Sequence, residues 1–316
     1  MLHLRAICPP ELTERVLELL EASPAVTHLC VSPGAARKPA GDMVSCDIAR
    51  EGATIVIEDL RDLGLERRGG IAVETVDITM SEAAEQAERD APGDPADALV
   101  WEDIEQSAGE ETRFSVTYLA FMIVATIIAS VGVMLDQPIL IVGAMVVGPE
   151  FGPLVALCVG IVSRQPRQVS GAVGTLALGF AVGIVATVLS TWALDDIGVI
   201  EKSMLTAERP LTSFIWQPDA LSWIVAFLAG IAGMLSLTST KSGALVGVLI
   251  SVTTIPAAAN AAAALAYWVP DEAVGSLIQL ALNLSAIVVG GVLTLAAQKA
   301  RQDRLSRRAP VSEAQP

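Results

Sequence analysis

Six apolar stretches fill the second half of this chain, at 114–135, 138–162, 169–194, 220–237, 243–268 and 273–298. A helix needs about 20 apolar residues to cross the hydrocarbon core of a bilayer. The stretches meet that length, so the chain is expected to be a polytopic membrane protein. The second stretch holds a carboxylate inside a Gly/Pro cluster, Gly148-Pro149-Glu150-Phe151-Gly152-Pro153. An ionisable group in a broken membrane helix is expensive to keep and points to function.

Charge divides the chain as hydropathy does. Residues 1–113 hold 24 Asp/Glu against 10 Lys/Arg, and the remaining residues hold 11 against 10. Two halves of such different charge suit two different solvents. An acidic half of this size is not expected to bind nucleic acid or an anionic membrane surface. The N-terminus has too short an apolar run for a secretory signal, and Pro9 and Pro10 end it. The four cysteines, Cys8, Cys30, Cys46 and Cys158, form no CxxC pair. They support neither a zinc site nor a disulfide framework, and the three in the first half read as buried thiols in strands.

Within residues 1–80, alternation predicts strands at 2–8, 26–31, 43–50 and 71–79. Helical stripes fall at 10–22 and 54–63, the second closed by Leu63-Gly64. The order β-α-β-β-α-β is that of a ferredoxin-like α+β domain. His3 and His28 both lie in strands and read as structural or surface residues. Such a domain serves assembly or binds a regulatory ligand. Residues 81–113 read as an acidic linker carrying a short helix near Trp101, 114–298 as the membrane domain, and 299–316 as a basic, then disordered, cytoplasmic tail.

Placing the N-terminus in the cytoplasm puts nine basic residues inside: Arg113, Arg164, Arg167, Lys241, Lys299, Arg301, Arg304, Arg307 and Arg308. Only Lys202 and Arg209 fall outside. The asymmetry obeys the positive-inside rule and requires an even number of spans. Six spans with both termini inside follow, in the cytoplasmic (inner) membrane of a prokaryote. Small residues recur at helical spacing, as at Gly143, Gly171, Gly174, Gly179, Gly183, Gly230 and Gly233. They suit close helix packing within the chain, or between subunits of a homo-oligomer. Spans 1–3 and 4–6 form a possible 3+3 inverted repeat, with span 2 broken at Pro149 and Pro153 and span 5 at Pro256. An offset of 100 matches Ala129, Met134, Leu135, Gly143, Ala144 and Val146 to the second half.

At these segments the chain resembles a family of uncharacterised hydrophobic membrane proteins, DUF389. The first signature is Ile141-Val142-Gly143-Ala144-Met145-Val146-Val147-Gly148-Pro149-Glu150-Phe151-Gly152-Pro153. The second is Gly230-Ile231-Ala232-Gly233-Met234-Leu235-Ser236-Leu237 followed by Gly243–Val248 and Pro256. Asn283 stands where the family has an Asn in its last span. Ala257 replaces a second Pro, and Glu150 replaces a residue that is often uncharged. The resemblance implies a membrane location and a fold that includes the small domain.

Two chemistries fit the broken spans. Pro149 and Pro153 cannot donate backbone hydrogen bonds, which frees carbonyls around Met145–Gly148 to line a cavity. Glu150 beside them could bind a cation or carry a proton, or simply cap a helix. Thr253, Thr254, Pro256, Asn260 and Asn283 extend a polar pathway, or hydrogen-bond helix to helix. Glu150 is expected to lie near Asn260. No HExxH, GxSxG or Walker A motif is present, so no enzyme, cofactor or metal is expected. The remaining readings are a transporter or channel for an ion or small polar solute, and a non-transporting membrane scaffold or sensor. The partners expected are lipid and an unidentified solute or ion.

Overall fold

The computed structural model describes residues 1–76, 78–91, 101, 104, 108, 109, 114–237 and 254–306, the last five by backbone only. Two compact units result. The first holds a small sheet domain, and the second spans Ile104–Gln298.

In the first unit, β1 (Leu2–Cys8), α1 (Pro10–Ala22), β2 (Val26–Arg37), β3 (Ala40–Ile48), α2 (Arg50–Asp62), α3 (Leu65–Arg68) and β4 (Gly70–Thr75) follow in order. The sheet order is β2-β3-β1-β4 with antiparallel neighbours throughout, the ferredoxin-like arrangement. Alternate residues of β1, Leu2, Leu4, Ala6 and Cys8, face Val16 and Leu20 of α1 and Val56 and Leu60 of α2 in one core. The expected β2 is too short. A bulge between Ser32 and Ala36 lets the strand continue through Ser32-Pro33-Gly34. β4 stops at Thr75, which pairs with Leu2; beyond it the Val76 amide reaches the Met1 carbonyl at 3.4 Å, just before β1 begins. α2 starts four residues earlier than the apolar stripe, at Arg50, and ends at the left-handed Gly64 (φ 77°).

Residues 82–90, read as linker, form α4 (Glu82–Asp90), whose N-cap Ser81 accepts from the Ala84 amide. Ala84 and Ala87 are buried, and α4 packs on β2 and β3. The histidines belong to this face. A second bulge places His28 at φ 50° between Thr27 and Cys30. His3 Nδ1 and His28 Nδ1 each lie 2.7 Å from one oxygen of Asp47, and His28 Nε2 lies 2.8 Å from Ser81 Oγ. Cys8 and Cys46 are buried as expected, and burial pushes the Cys46 thiol up to about 12. Cys30 is exposed, because β2 is an edge strand. Most of the expected linker, 92–113, lies outside the described residues.

The second unit is helical: α5 (Val116–Met134), α6 (Pro138–Val147), α7 (Phe151–Val162), α8 (Pro166–Asp196), α9 (Lys202–Thr206), α10 (Ala220–Leu237), α11 (Ile255–Ala266) and α12 (Pro270–Ser306). Four of them, α5, α8, α10 and α12, are each long and apolar enough to cross a bilayer. The α6–α7 pair makes a fifth such span if its 58° bend is counted within one crossing. Large apolar side chains on their outer faces, among them Val116, Val124, Leu189 and Leu228, are exposed. Lipid is the solvent that accepts such a surface, and the chain is membrane-embedded. α11 is buried along nearly its whole length and packs against α5, α6 and α8. The N-terminal half of the expected fifth span, with Gly243–Val248, lies outside the described residues.

Element boundaries recur at a spacing of 104 residues, the separation of Phe151 from Ile255, Val116 from Ala220 and Pro166 from Pro270. The turns recur as well. Asp136, Arg164 and Trp268 each end a helix with a left-handed φ of 48–56°. The next amide in each turn, Gln137, Gln165 or Val269, reaches back five residues to a carbonyl at 2.8 Å, the Schellman arrangement. A proline then opens the following helix, where its missing N–H costs nothing. The offset of 100 read from residue identities is therefore replaced by 104 in the helices themselves.

Candidate functional site

The second apolar stretch breaks where the prolines require. α6 ends at Val147, and the Gly148 amide closes it onto Ala144 O (3.1 Å) and Met145 O (3.3 Å). Pro149 has no amide to continue the ladder. Glu150 is the N-cap of α7, and its carbonyl accepts from the Leu154 amide at 3.1 Å. Pro153 is buried in the first turn of α7, where a missing N–H is tolerated. The Met145 carbonyl, expected to be freed by the break, is taken by Gly148.

Glu150 is completely buried, and its Oε1 accepts a 2.8 Å hydrogen bond from Thr254 Oγ1. Thr254, also fully buried, is the N-cap of α11, and Pro256 follows in its first turn. The carboxylate therefore lies where two apolar half-helices begin. Helix N-termini carry partial positive charge, which stabilises an anionic side chain there. Glu150 and Thr254 are themselves 104 residues apart, the spacing at which the element boundaries recur.

Asn260 belongs to a different cluster from the one expected. Its Oδ1 accepts from Arg209 Nη1 at 3.1 Å, and its Nδ2 donates to Ser276 Oγ at 2.8 Å. Arg209 also pairs with Glu272, and both side chains are more than nine-tenths buried. Arg209 is thus not a solvated loop charge. Asn260 lies six residues beyond Thr254, about 9 Å along the helix axis at 1.5 Å per residue. That distance separates it from the cap where Glu150 is bound.

Asn283 is fully buried on α12, and its Oδ1 accepts from Gln279 Nε2 at 3.4 Å. Asn283, Gln279 and Pro256 line a cavity of about 230 Å³ together with Asp219 and Ser222. A larger cavity of about 570 Å³ is lined by Glu208, Arg209, Asp271, Glu272 and Trp216. Thr253 lies outside the described residues.

The sequence singled out Glu150, Thr254, Pro256, Asn260 and Asn283, and missed Arg209, Glu272, Ser276 and Gln279, which the structure places beside Asn260 and Asn283. A signal was present for three of the missed residues. Glu272, Ser276, Gln279 and Asn283 are spaced four, three and four apart, one face of a helix. Arg209 gave none, because a basic residue between two spans reads as solvated. Among the described residues, no group of three or more His, Cys, Asp or Glu could hold a metal ion.

Both cavities and both polar clusters fall in the segment that the comparisons recognise. Residues 145–289 match DUF389, a domain of unknown function. The DUF389 segment runs from the end of α6 into α12 and leaves the N-terminal sheet outside. An uncharacterised protein of Methanocaldococcus jannaschii is 25% identical over 217 residues, 67% of this chain. That match spans 64% of the relative, less than two thirds of its length. No solved structure matches.

Proposed function

We propose that this chain is a transporter or channel for an ion or small polar solute. One observation carries the reading: a fully buried carboxylate, Glu150, is bound to Thr254 where two apolar helices both begin in mid-bundle. A charge at bilayer depth costs about 2.5–3.5 kcal/mol on insertion scales. Discontinuous helices whose N-termini converge are how transporters build a central site. A purely structural cap needs no carboxylate there, since an uncharged Ser, Thr or Asn caps equally well.

The same reading takes the architecture as six spans. The α6–α7 pair is span 2, and α11 is the second half of a broken span 5. The recurrence at 104 residues supports an inverted repeat of three spans each, and an odd number of spans per half gives opposite orientations. The excess of basic residues on one side supports both termini inside, in the inner membrane of a prokaryote. The ferredoxin-like domain then lies in the cytoplasm as a regulatory or assembly element. Membrane lipid, the solute and possible further copies of the chain are the partners.

Reconstitution of the full chain in liposomes tests this. Glu150→Gln keeps the acceptor oxygen for Thr254 and removes the charge. It is expected to preserve the fold and to abolish proton and potassium flux read by entrapped dyes. Flux equal to wild type in the folded Gln variant overturns the assignment and favours a scaffold or sensor.

A further inference from the structure

Between Glu272 and Asn283 the buried face of α12 carries one polar residue per turn. Glu272, Ser276, Gln279 and Asn283 are 6%, 0%, 3% and 0% exposed. Eleven residues at 1.5 Å each span about 16 Å, roughly half of a 30 Å hydrocarbon core. Lipid-facing positions would leave such groups without partners, and packing alone would favour apolar ones. The two ends of the stripe line different cavities. Glu272 lines the larger one, and Gln279 and Asn283 line the smaller beside Pro256, two residues from the Thr254 cap. Two buried atoms along it have no hydrogen-bond partner, Arg209 Nε and Gln279 Oε1. Native interiors seldom leave such groups unmatched unless something else visits them.

The lining charges choose the class of visitor. The two cavities present four carboxylates, Glu208, Asp219, Asp271 and Glu272, against the single guanidinium of Arg209. Low-dielectric walls bearing one sign of charge concentrate the opposite ion. Arg209 is itself a cation held by Glu272 and Asn260 Oδ1. The positions equivalent to the stripe on α8, 104 residues earlier, are Gln168, Ala172, Thr175 and Gly179. There Tyr118 fills the groove: a Cβ on Gly179 would lie 2.5 Å from its hydroxyl oxygen.

We propose that the polar face of α12 is the route by which a small cation reaches Glu150, with the Arg209–Glu272 ion pair as its gate. The inference rests on the transport reading and names its substrate class. On the six-span topology the gated end faces outward.

Water access along the stripe can be measured without flux. In the full-length protein with its native cysteines replaced and reconstituted in liposomes, single Ser276→Cys, Gln279→Cys and Asn283→Cys variants are exposed to impermeant methanethiosulfonates. One reagent carries a trimethylammonium group and the other a sulfonate. The cationic reagent is expected to label all three at least tenfold faster than the anionic one. Labelling at Asn283→Cys is expected to rise a further tenfold when Arg209→Gln and Glu272→Gln are combined, which removes both charges and strands neither. Rates no higher than at the outward-facing Leu282→Cys, or equal rates for the two reagents, overturn the route. An unchanged rate in the paired variant overturns the gate. A stripe that labels as expected while Glu150→Gln transports normally keeps the route and removes Glu150 as its destination. An unlabelled stripe with flux abolished by Glu150→Gln does the reverse.

Discussion

At the residue scale, the central contact is one hydroxyl on one carboxylate. Thr254→Val keeps the shape and removes the donor to Glu150. Leaving a buried acceptor short by one bond costs about 1–3 kcal/mol. The Val variant should melt lower in detergent and lose flux, while Thr254→Ser retains both. Equal melting of Val and Ser variants would show that the bond is incidental. The Arg209–Glu272 pair behaves differently, since removing one partner strands a buried charge. Arg209→Ala should cost about 3–5 kcal/mol, and the double replacement by apolar residues much less. A double-mutant cycle on thermal unfolding reads the difference, and additive costs contradict the buried pair. In the sheet domain, burial pushes the Asp47 carboxyl up, and the hydrogen bonds and charges of His28 and His3 outweigh it, leaving it below the usual carboxylate range. A depressed carboxylate stabilises the fold above its unfolded pKa, about 3.9, and that stability is lost as pH falls through the folded value. Protection of the β1–β3 amides, corrected for the intrinsic exchange rate, should therefore fall as pH drops below the unfolded carboxylate range, an acceleration relative to the unfolded chain. In Asp47→Asn that acceleration should be reduced, and an unchanged pH dependence rejects the assignment.

At the scale of elements, glycine decides which helices touch. A Cβ on Gly230 would lie 2.3 Å from Ile287 O, and one on Gly290 the same distance from Phe227 O, so α10 and α12 meet backbone to backbone. A Cβ on Gly143 would meet nothing within 4 Å among the described residues. Gly230→Ala should lower the melting temperature, with overpacking costing about 1–3 kcal/mol. Gly143→Ala should be neutral in the monomer, and a selective loss of oligomer in that variant would place a subunit contact there. The break between α6 and α7 was legible in the sequence because proline acts locally: Pro149 stops a ladder wherever it stands. The βαββαβ order was legible because alternation and stripes are local too. Where β2 ends was not, since a bulge is set by its partner strand. Asn260 was assigned to Glu150 because both are polar residues near a proline. Their true partners, Arg209 and Thr254, depend on how α11 meets the start of α7 and the segment before α10, which no window of sequence records.

At the scale of the whole molecule, two kinds of surface are joined in one chain, a charged sheet domain and a helical bundle with apolar outer faces. The orientation follows from the loops between the bundle's helices. Nine basic residues fall on one side under six spans, and Lys202 and Arg209 on the other. Burial of Arg209 in an ion pair with Glu272 leaves Lys202 as the solvated cation of that side among the described residues. The acidic side also carries Glu201, Asp195 and Asp196, which contribute little to orientation by themselves. The prediction is therefore carried by the basic residues after span 6 and between spans 2 and 3. Single cysteines replacing Glu201 and Arg304, in a background without native cysteines, report the two sides. An impermeant maleimide applied to intact spheroplasts should label the first and spare the second, and inverted vesicles should reverse the pattern. Labelling of both positions from the same side would require an even number of crossings between them. In that case α11 enters and leaves the membrane on one side, and the inverted repeat is lost.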